Sequence, residues 1–221
     1  RLGESPEEVL PVVGDEVEYR IERSHDDRGA RGMIMGIMPR RSVFTRNDPS
    51  GRMSFKVIGS NLDYVLIVVS TKNPPLKTRL VDRMIVSAEH GGMEPVICLN
   101  KIDLMPDRDA MARRMAPYTD MGYRVILSSA LEGVGIDELR ELLRGKTSMM
   151  VGPSGSGKTS IVNALQPELE LRTGGVSGKT GKGKHTTSHF ELHPLDGGGF
   201  IGDSPGVREF GISRIERREL A

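Results

Sequence analysis

The sequence predicts an α/β chain in which a mostly parallel sheet carries helices on both faces, with a smaller β module in front of it. Three observations predict this. From Asn61 onward, apolar runs of strand length alternate with stretches of helical period. One such run, residues 147–151, leads directly into Gly152-Pro153-Ser154-Gly155-Ser156-Gly157-Lys158-Thr159 and then into a helix-like segment, residues 160–165. Before residue 58 there is strand-like alternation broken by turn residues, without a helical period.

In the front module, residues 11–19 alternate as a strand does, Asp26-Asp27-Arg28-Gly29 reads as a turn, and residues 32–38 read as a second strand. Met33, Met35 and Met38 are expected to fill a core. Strand, turn and strand with interior glycines fit part of an OB-like β-barrel, an incomplete RNA-binding domain over residues 1–58. Arg28, Arg31, Arg40, Arg41, Arg46, Arg52 and Lys56 cluster here against Asp48 alone. Such a patch either contacts an RNA backbone or forms a solvated rim. Tyr19, Phe44 and Phe55 are the only aromatics of this stretch, so phosphate contact is favoured over base stacking.

The second domain is read over residues 59–221. Residues 62–69 predict a strand buried on both faces. A helix over 76–90 follows from Leu76, Leu80, Met84, Ile85 and Ala88, and Gly91-Gly92 stops it. Then come a strand at 95–99, a helix at 109–119, a strand at 123–127, a helix at 136–144 closed by Gly145, and the strand at 147–151. Residues 172–189, rich in Gly, Lys and Thr, predict a mobile loop. Two more strands are expected at 188–193 and 199–202, and a charged helix at 212–220.

Composition sets bounds. A net charge of +1 over 221 residues gives no global field, so any basic surface is local. Cys98, the one cysteine, lies in an apolar run and reads as a buried core residue. No disulfide can form within the chain, which points to a reducing cytoplasm. The longest apolar run, 64–69, is too short to span a bilayer, and no signal peptide is visible. The chain starts at Arg1 without a methionine and stops at Ala221 inside a charged stretch, so a piece of a longer gene product is expected. It is expected to be a monomer that meets no membrane.

The octet has the G-x-x-x-x-G-K-[ST] spacing of a phosphate-binding loop. Its glycines let successive backbone N–H groups face an anion, and the following helix aims its positive end there. The predicted phosphate site takes in Gly152, Pro153, Ser154, Gly155, Ser156, Gly157, Lys158, Thr159 and Ser160. Lys158 reaches the outer phosphates and the Thr159 hydroxyl ligates Mg²⁺. Asn100-Lys101-Ile102-Asp103 names the base. The Asp103 carboxylate accepts two parallel bonds from guanine N1–H and its 2-amino group, a donor pair that adenine lacks. Asn100 is expected at N7, Lys101 along base and ribose, and the Ala130 N–H, after Ser129, at O6.

In Asp203-Ser204-Pro205-Gly206, Asp203 is expected to hold Mg²⁺ through water and the Gly206 N–H to sense the γ-phosphate. Within Gly181-Lys182-Gly183-Lys184-His185-Thr186-Thr187, either Thr186 or Thr187 completes the Mg²⁺ shell; with Thr187, the metal set is Thr159, Thr187 and Asp203. Both segments are expected to be ordered by the γ-phosphate and released after hydrolysis. Lys179, Lys182 and Lys184 either contact RNA or are solvated. Small G domains run phosphate loop, switch threonine, D-x-x-G, N-K-x-D, S-A. Here N-K-x-D and S-A come first, and moving residues 62–145 behind residue 206 restores the usual order. The fold class is therefore a circularly permuted P-loop GTPase domain, in which whatever follows Gly206 is attached directly to switch II.

With the OB-like segment, G-K-G-K-H-T-T and D-S-P-G-V-R-E-F-G, this order resembles the RsgA (YjeQ) family of bacterial small ribosomal subunit biogenesis GTPases over nearly the whole chain. The resemblance implies GTP and GDP as ligands with Mg²⁺, and the small ribosomal subunit with its rRNA as partner. It implies action in late maturation, ribosome-stimulated hydrolysis and departure afterwards. It also implies a C-terminal zinc domain with Cys/His ligands, missing here, so that Zn²⁺ belongs only to that domain. The N-terminal barrel is expected to be short by a strand or more. Val207 stands where many GTPases carry a water-orienting glutamine. The resemblance implies His185 as the catalytic replacement, since an imidazole can accept a hydrogen bond from the attacking water; contact with rRNA or solvent is the other role open to it. The alternative function is a GTP-gated RNA-binding module with incidental hydrolysis. A phosphotransferase is disfavoured by N-K-I-D, D-S-P-G and the lack of an evident acceptor pocket.

Overall fold

The computed structural model describes residues 10–22, 31–47, 55–105, 107–169 and 190–203. Six strands form the main sheet: β5 (Tyr64–Ser70), β6 (Glu94–Asn100), β7 (Arg124–Leu127), β8 (Lys146–Val151), β9 (Glu191–Pro194) and β10 (Gly199–Asp203). Their order is β7-β6-β5-β8-β10-β9, parallel throughout except for β9, which lies antiparallel on β10 at one edge. The helices are α1 (Thr78–His90), α2 (Arg108–Asp120), α3 (Ile136–Leu143) and α4 (Lys158–Leu165).

The two cores follow from strand alternation. Val65, Ile67 and Val69 of β5 face α1 and α2, packing with Val81, Met84, Ile85 and Met115. Leu66 and Val68 face the other way, toward Leu139 and Leu143 of α3 and Ile161 and Val162 of α4. Each such aliphatic side chain, once fully buried, contributes about 1.5–3 kcal/mol. Cys98 is buried in the second core as expected, and burial pushes its thiol up to about 11.

From β5 the chain leaves through α1 on one face toward β6 and β7. From β8, beside β5, it leaves through α4 on the other face toward β10. The reversal between β5 and β8 opens a crevice at their carboxyl ends, where α/β sheets bind ligands. The strands ending in N-K-I-D and before S-S-A thus lie on one side of β5, and those leading to the octet and D-S-P-G lie on the other.

Most element ends agree with expectation to within a residue or two. α1 starts at Thr78 rather than Leu76, because Pro74 and Pro75 precede it and Lys77 is extended. The Asp107 side chain caps α2 by accepting from the Ala110 N–H at 2.9 Å. β9 begins at Glu191, later than the expected 188. The turn at 26–29, the loop 172–189 and the helix 212–220 lie outside the described residues.

The front of the chain departs further. It holds two antiparallel pairs, β1 (Val17–Glu22) with β2 (Arg31–Ile37) and β3 (Val43–Asn47) with β4 (Phe55–Ser60). β1 starts at Val17, not at 11, because the Asp15 N–H closes a turn onto Val12 O at 3.1 Å. Gly14 sits in that turn at φ +95°, and a Cβ there would lie 2.0 Å from Ser60 O. The methionine expectation is corrected: Met33, Met35 and Met38 are 51%, 53% and 43% exposed, since the β1–β2 ribbon pairs only with itself among the described residues. β3–β4 docks on the main sheet through buried Phe44 and the Val43 N–H, which donates to Gly91 O at 2.9 Å.

Two members of the basic cluster serve the fold. Arg40 pairs with Asp15 at 2.7 Å, and Arg41 meets Asp63 at 3.0 Å while donating to the Asn61 carbonyl. Asp63 in turn accepts the Thr147 N–H at 2.8 Å, joining this module to the first residues of β8. Arg28 and Arg52 lie outside the described residues, as do the side chains of Arg31, Arg46 and Lys56.

Burial acts to raise the Asp15 carboxyl, but bonds from Arg40, Ser60 and the Val12 N–H outweigh it and hold it at about 2, against an ordinary 3.8. A depressed folded value means that stability is present above the unfolded value and lost as pH falls from about 4 to about 2. Asp15→Ala is therefore expected to cost roughly 3 kcal/mol at pH 7. In urea titrations the gap between wild type and variant should close across that acid window; a gap independent of pH would contradict the assignment.

Candidate nucleotide-binding site

The octet forms the turn between β8 and α4, and two glycines in it have no substitute. Gly152, at φ +149°, passes so close to β5 that a Cβ would lie 2.0 Å from Val68 O. Gly157, at φ +98°, would place one 2.2 Å from Asn100 Nδ2. Lys158 opens α4 with its side chain folded back over the loop, Nζ donating to Gly152 O at 3.0 Å and Pro153 O at 3.3 Å. Ser156 Oγ is buried with no partner among the described residues. A glycine cradle closed against neighbouring backbone, a lysine laid over it and an orphaned hydroxyl fit a phosphate chain.

Beside it lies a cavity of about 390 Å³, lined by Asn100, Lys101, Asp103, Ala130, Gly157 and Ser160 among others. The sequence-predicted base residues and the octet thus meet in one place. The Asp103 carboxylate accepts from Ser129 Oγ at 2.6 Å, and Ser129 Oγ accepts the Glu132 N–H at 3.1 Å. Ser129 thereby fixes the carboxylate's orientation, and because each carboxylate oxygen can accept two hydrogen bonds, both oxygens keep acceptor capacity for a base.

Asn100 is only 2% exposed, and its amide ties neighbouring loops together. The bond that Nδ2 makes uses one of its two N–H groups, so the N7 contact expected of it is compatible with this arrangement. Nδ2 donates to Ser156 O at 3.0 Å, while Oδ1 accepts the Ala130 N–H at 3.2 Å and Ser128 Oγ at 3.4 Å. The Ala130 N–H, expected at O6, is engaged with Asn100 in this structure. Lys101 is left-handed at φ +63°. Its Nζ donates to Asn73 O, its carbonyl accepts Thr71 Oγ1 at 2.6 Å, and Asn100 O accepts the Thr71 N–H at 3.1 Å. Sequence reasoning missed Thr71 and Ser128. Thr71 carries no motif and lies 30 residues from the loop it bonds.

Asp203 ends β10, with its backbone paired beside Met150 of β8. Its side chain lies outside the described residues, as do Gly206, Thr186, Thr187 and His185. Thr159 and Ser160 stand in the first turn of α4, partly exposed.

The sequence profile described as RsgA GTPase matches residues 37–213. A small ribosomal subunit biogenesis GTPase RsgA from Chlorobaculum parvum is 42% identical over 216 residues, covering 96% of this chain and 68% of that protein. The protein of that name from Pseudomonas aeruginosa is 40% identical over 211 residues, covering 95% of this chain and 60% of the relative. Among solved structures, YjeQ from Thermotoga maritima superposes with a TM-score of 0.72 at 34% identity, covering 96% of this chain and 66% of that one. YloQ, described as a circularly permuted GTPase, follows at 0.67 and 28% identity, covering 97% and 64%. The chain thus spans about two thirds of the length of the relatives it matches.

Gly152→Ala forces a Cβ onto backbone that has no room to yield. It is expected to lower stability by roughly 2 kcal/mol or more and to abolish fluorescent-GDP binding in a titration. A variant that binds like wild type would contradict the cradle geometry.

Proposed function

The chain belongs to the RsgA GTPase family, and from that premise we propose that it binds GTP at the β5–β8 switch point, hydrolyses it, and acts in late assembly of the small ribosomal subunit. One observation carries the base assignment: an Asp103 carboxylate oriented by Ser129 at 2.6 Å, in a cavity whose wall includes Gly157 of the phosphate loop. A carboxylate so held accepts the paired donors of guanine and is left unsatisfied by adenine. Lys158, whose ammonium now donates to the loop carbonyls, would gain oppositely charged acceptors on the β- and γ-phosphates.

Thr159, Asp203 and one of Thr186 and Thr187 are the residues that would hold Mg²⁺, which would offset phosphate charge as the β–γ bond breaks. Water attacks the γ-phosphorus in line and GDP leaves as phosphate is released. His185 accepts a hydrogen bond from that water, a task Val207 is unable to perform. Residues 1–58 supply rRNA contact and residues 59–221 the GTPase, in a cytoplasmic monomer. The relatives' names support the ribosomal partner. No described helix is long and apolar enough to cross a membrane. Zn²⁺ is assigned to no residue of this chain, whose one cysteine is buried in the core.

The test is GTP hydrolysis with and without purified small ribosomal subunits, for wild type and His185→Ala. Strong stimulation that falls by about 10²-fold or more in His185→Ala, with GTP affinity kept, is expected. Stimulation untouched by the substitution removes His185 from catalysis. Absence of stimulation overturns the assembly role and favours a GTP-gated RNA-binding module.

A further inference from the structure

We propose that Thr71, at the carboxyl end of β5, is a positioning residue for guanine selectivity, acting through the backbone of the base-recognising loop. This rests on the guanine reading of Asp103 given above. Thr71 holds two consecutive peptide groups of that loop at once: its N–H donates to Asn100 O at 3.1 Å and its Oγ1 to Lys101 O at 2.6 Å. Those two groups flank the point where the chain stops being β6 and becomes a 3-10 turn, Ile102–Leu104, that carries Asp103.

The transition is made by Lys101 in a left-handed conformation at φ +63°, uncommon for a side-chain-bearing residue and maintained only where the surroundings over-determine it. Thr71 supplies that determination from one side. On the other side, the Ile102 N–H donates to Ser128 O at 3.2 Å. Lys101 Nζ adds a third link to the same β5 loop through the Asn73 carbonyl, and Asn73 lines the base cavity. A hydroxyl that fixes the Lys101 carbonyl therefore fixes the direction in which Asp103 leaves the strand. Thr71 does not line the cavity that Asp103 and Gly157 share, so its effect falls on how well Asp103 distinguishes bases.

Inosine nucleotides test this, since hypoxanthine keeps the N1–H of guanine and lacks the 2-amino group. GDP and IDP affinities are measured by titration for wild type, Thr71→Val and Thr71→Ser, with thermal melting of the nucleotide-free proteins as the control for folding. Thr71→Val, which keeps shape and loses the hydroxyl, is expected to weaken GDP about tenfold and IDP distinctly less, so that the GDP/IDP ratio narrows. Thr71→Ser restores the ratio to within about twofold of wild type. Equal weakening of GDP and IDP, or a ratio unchanged in a folded Thr71→Val, overturns the proposal. If Thr71→Val fails to fold, Thr71→Ala carries the same expectation and the same refutation. A wild-type protein that binds GDP no better than IDP or ADP instead refutes the guanine reading on which the proposal rests.

Discussion

The site depends on the buried amide of Asn100. A primary amide at 2% exposure must have both its ends satisfied, and here they are satisfied by two different loops. The NH₂ group fastens the phosphate loop through Ser156 O, and the carbonyl fastens the S-S-A segment through the Ala130 N–H and Ser128. Three stretches far apart in sequence acquire fixed relative positions from one side chain. Gly157 is part of the same constraint, because any Cβ there would displace the Asn100 amide. An aspartate in place of Asn100 would keep the acceptor and lose the donor, leaving Ser156 O without this bond.

The sheet order explains why a rearranged chain can still assemble that junction. Motif order along the chain differs from that of small G domains, yet what the chemistry requires is adjacency of strand ends. With β5 and β8 side by side, the N-K-I-D and S-S-A loops converge on the octet from one side, and β10 delivers Asp203 from the other. The cores on the two faces are separate, so cutting and rejoining the chain outside the strands disturbs neither. The β3–β4 pair is held to this domain by Phe44 in the first core and by the Val43 N–H on Gly91 O just after α1, and Arg41 is tied through Asp63 to the first residues of β8.

Legibility followed burial pattern. β5 and β6 are continuous apolar runs buried on both faces, so their limits were readable within two residues. The octet and N-K-I-D were readable because each requires residue types at fixed short spacing. β3 and β4 were not, since Val43–Asn47 and Phe55–Ser60 are short, mix charged with apolar residues, and anchor mainly through Phe44. The Met33 and Met35 reading failed because alternation reveals which face is apolar and not whether anything covers it. Bonds of long sequence separation, such as Asn100 to Ser156 at 56 residues and Ser129 to Asp103 at 26, leave no local periodicity to detect.

The proposed choice of base rests on one oriented carboxylate, Asp103. The most direct measurement is the affinity of the nucleotide-free protein for GDP against ADP under identical Mg²⁺ and salt. A carboxylate left unpaired against the wrong base predicts GDP tighter by roughly 10³-fold or more. Affinities within tenfold of each other would contradict the account, because the phosphate loop alone would then explain binding.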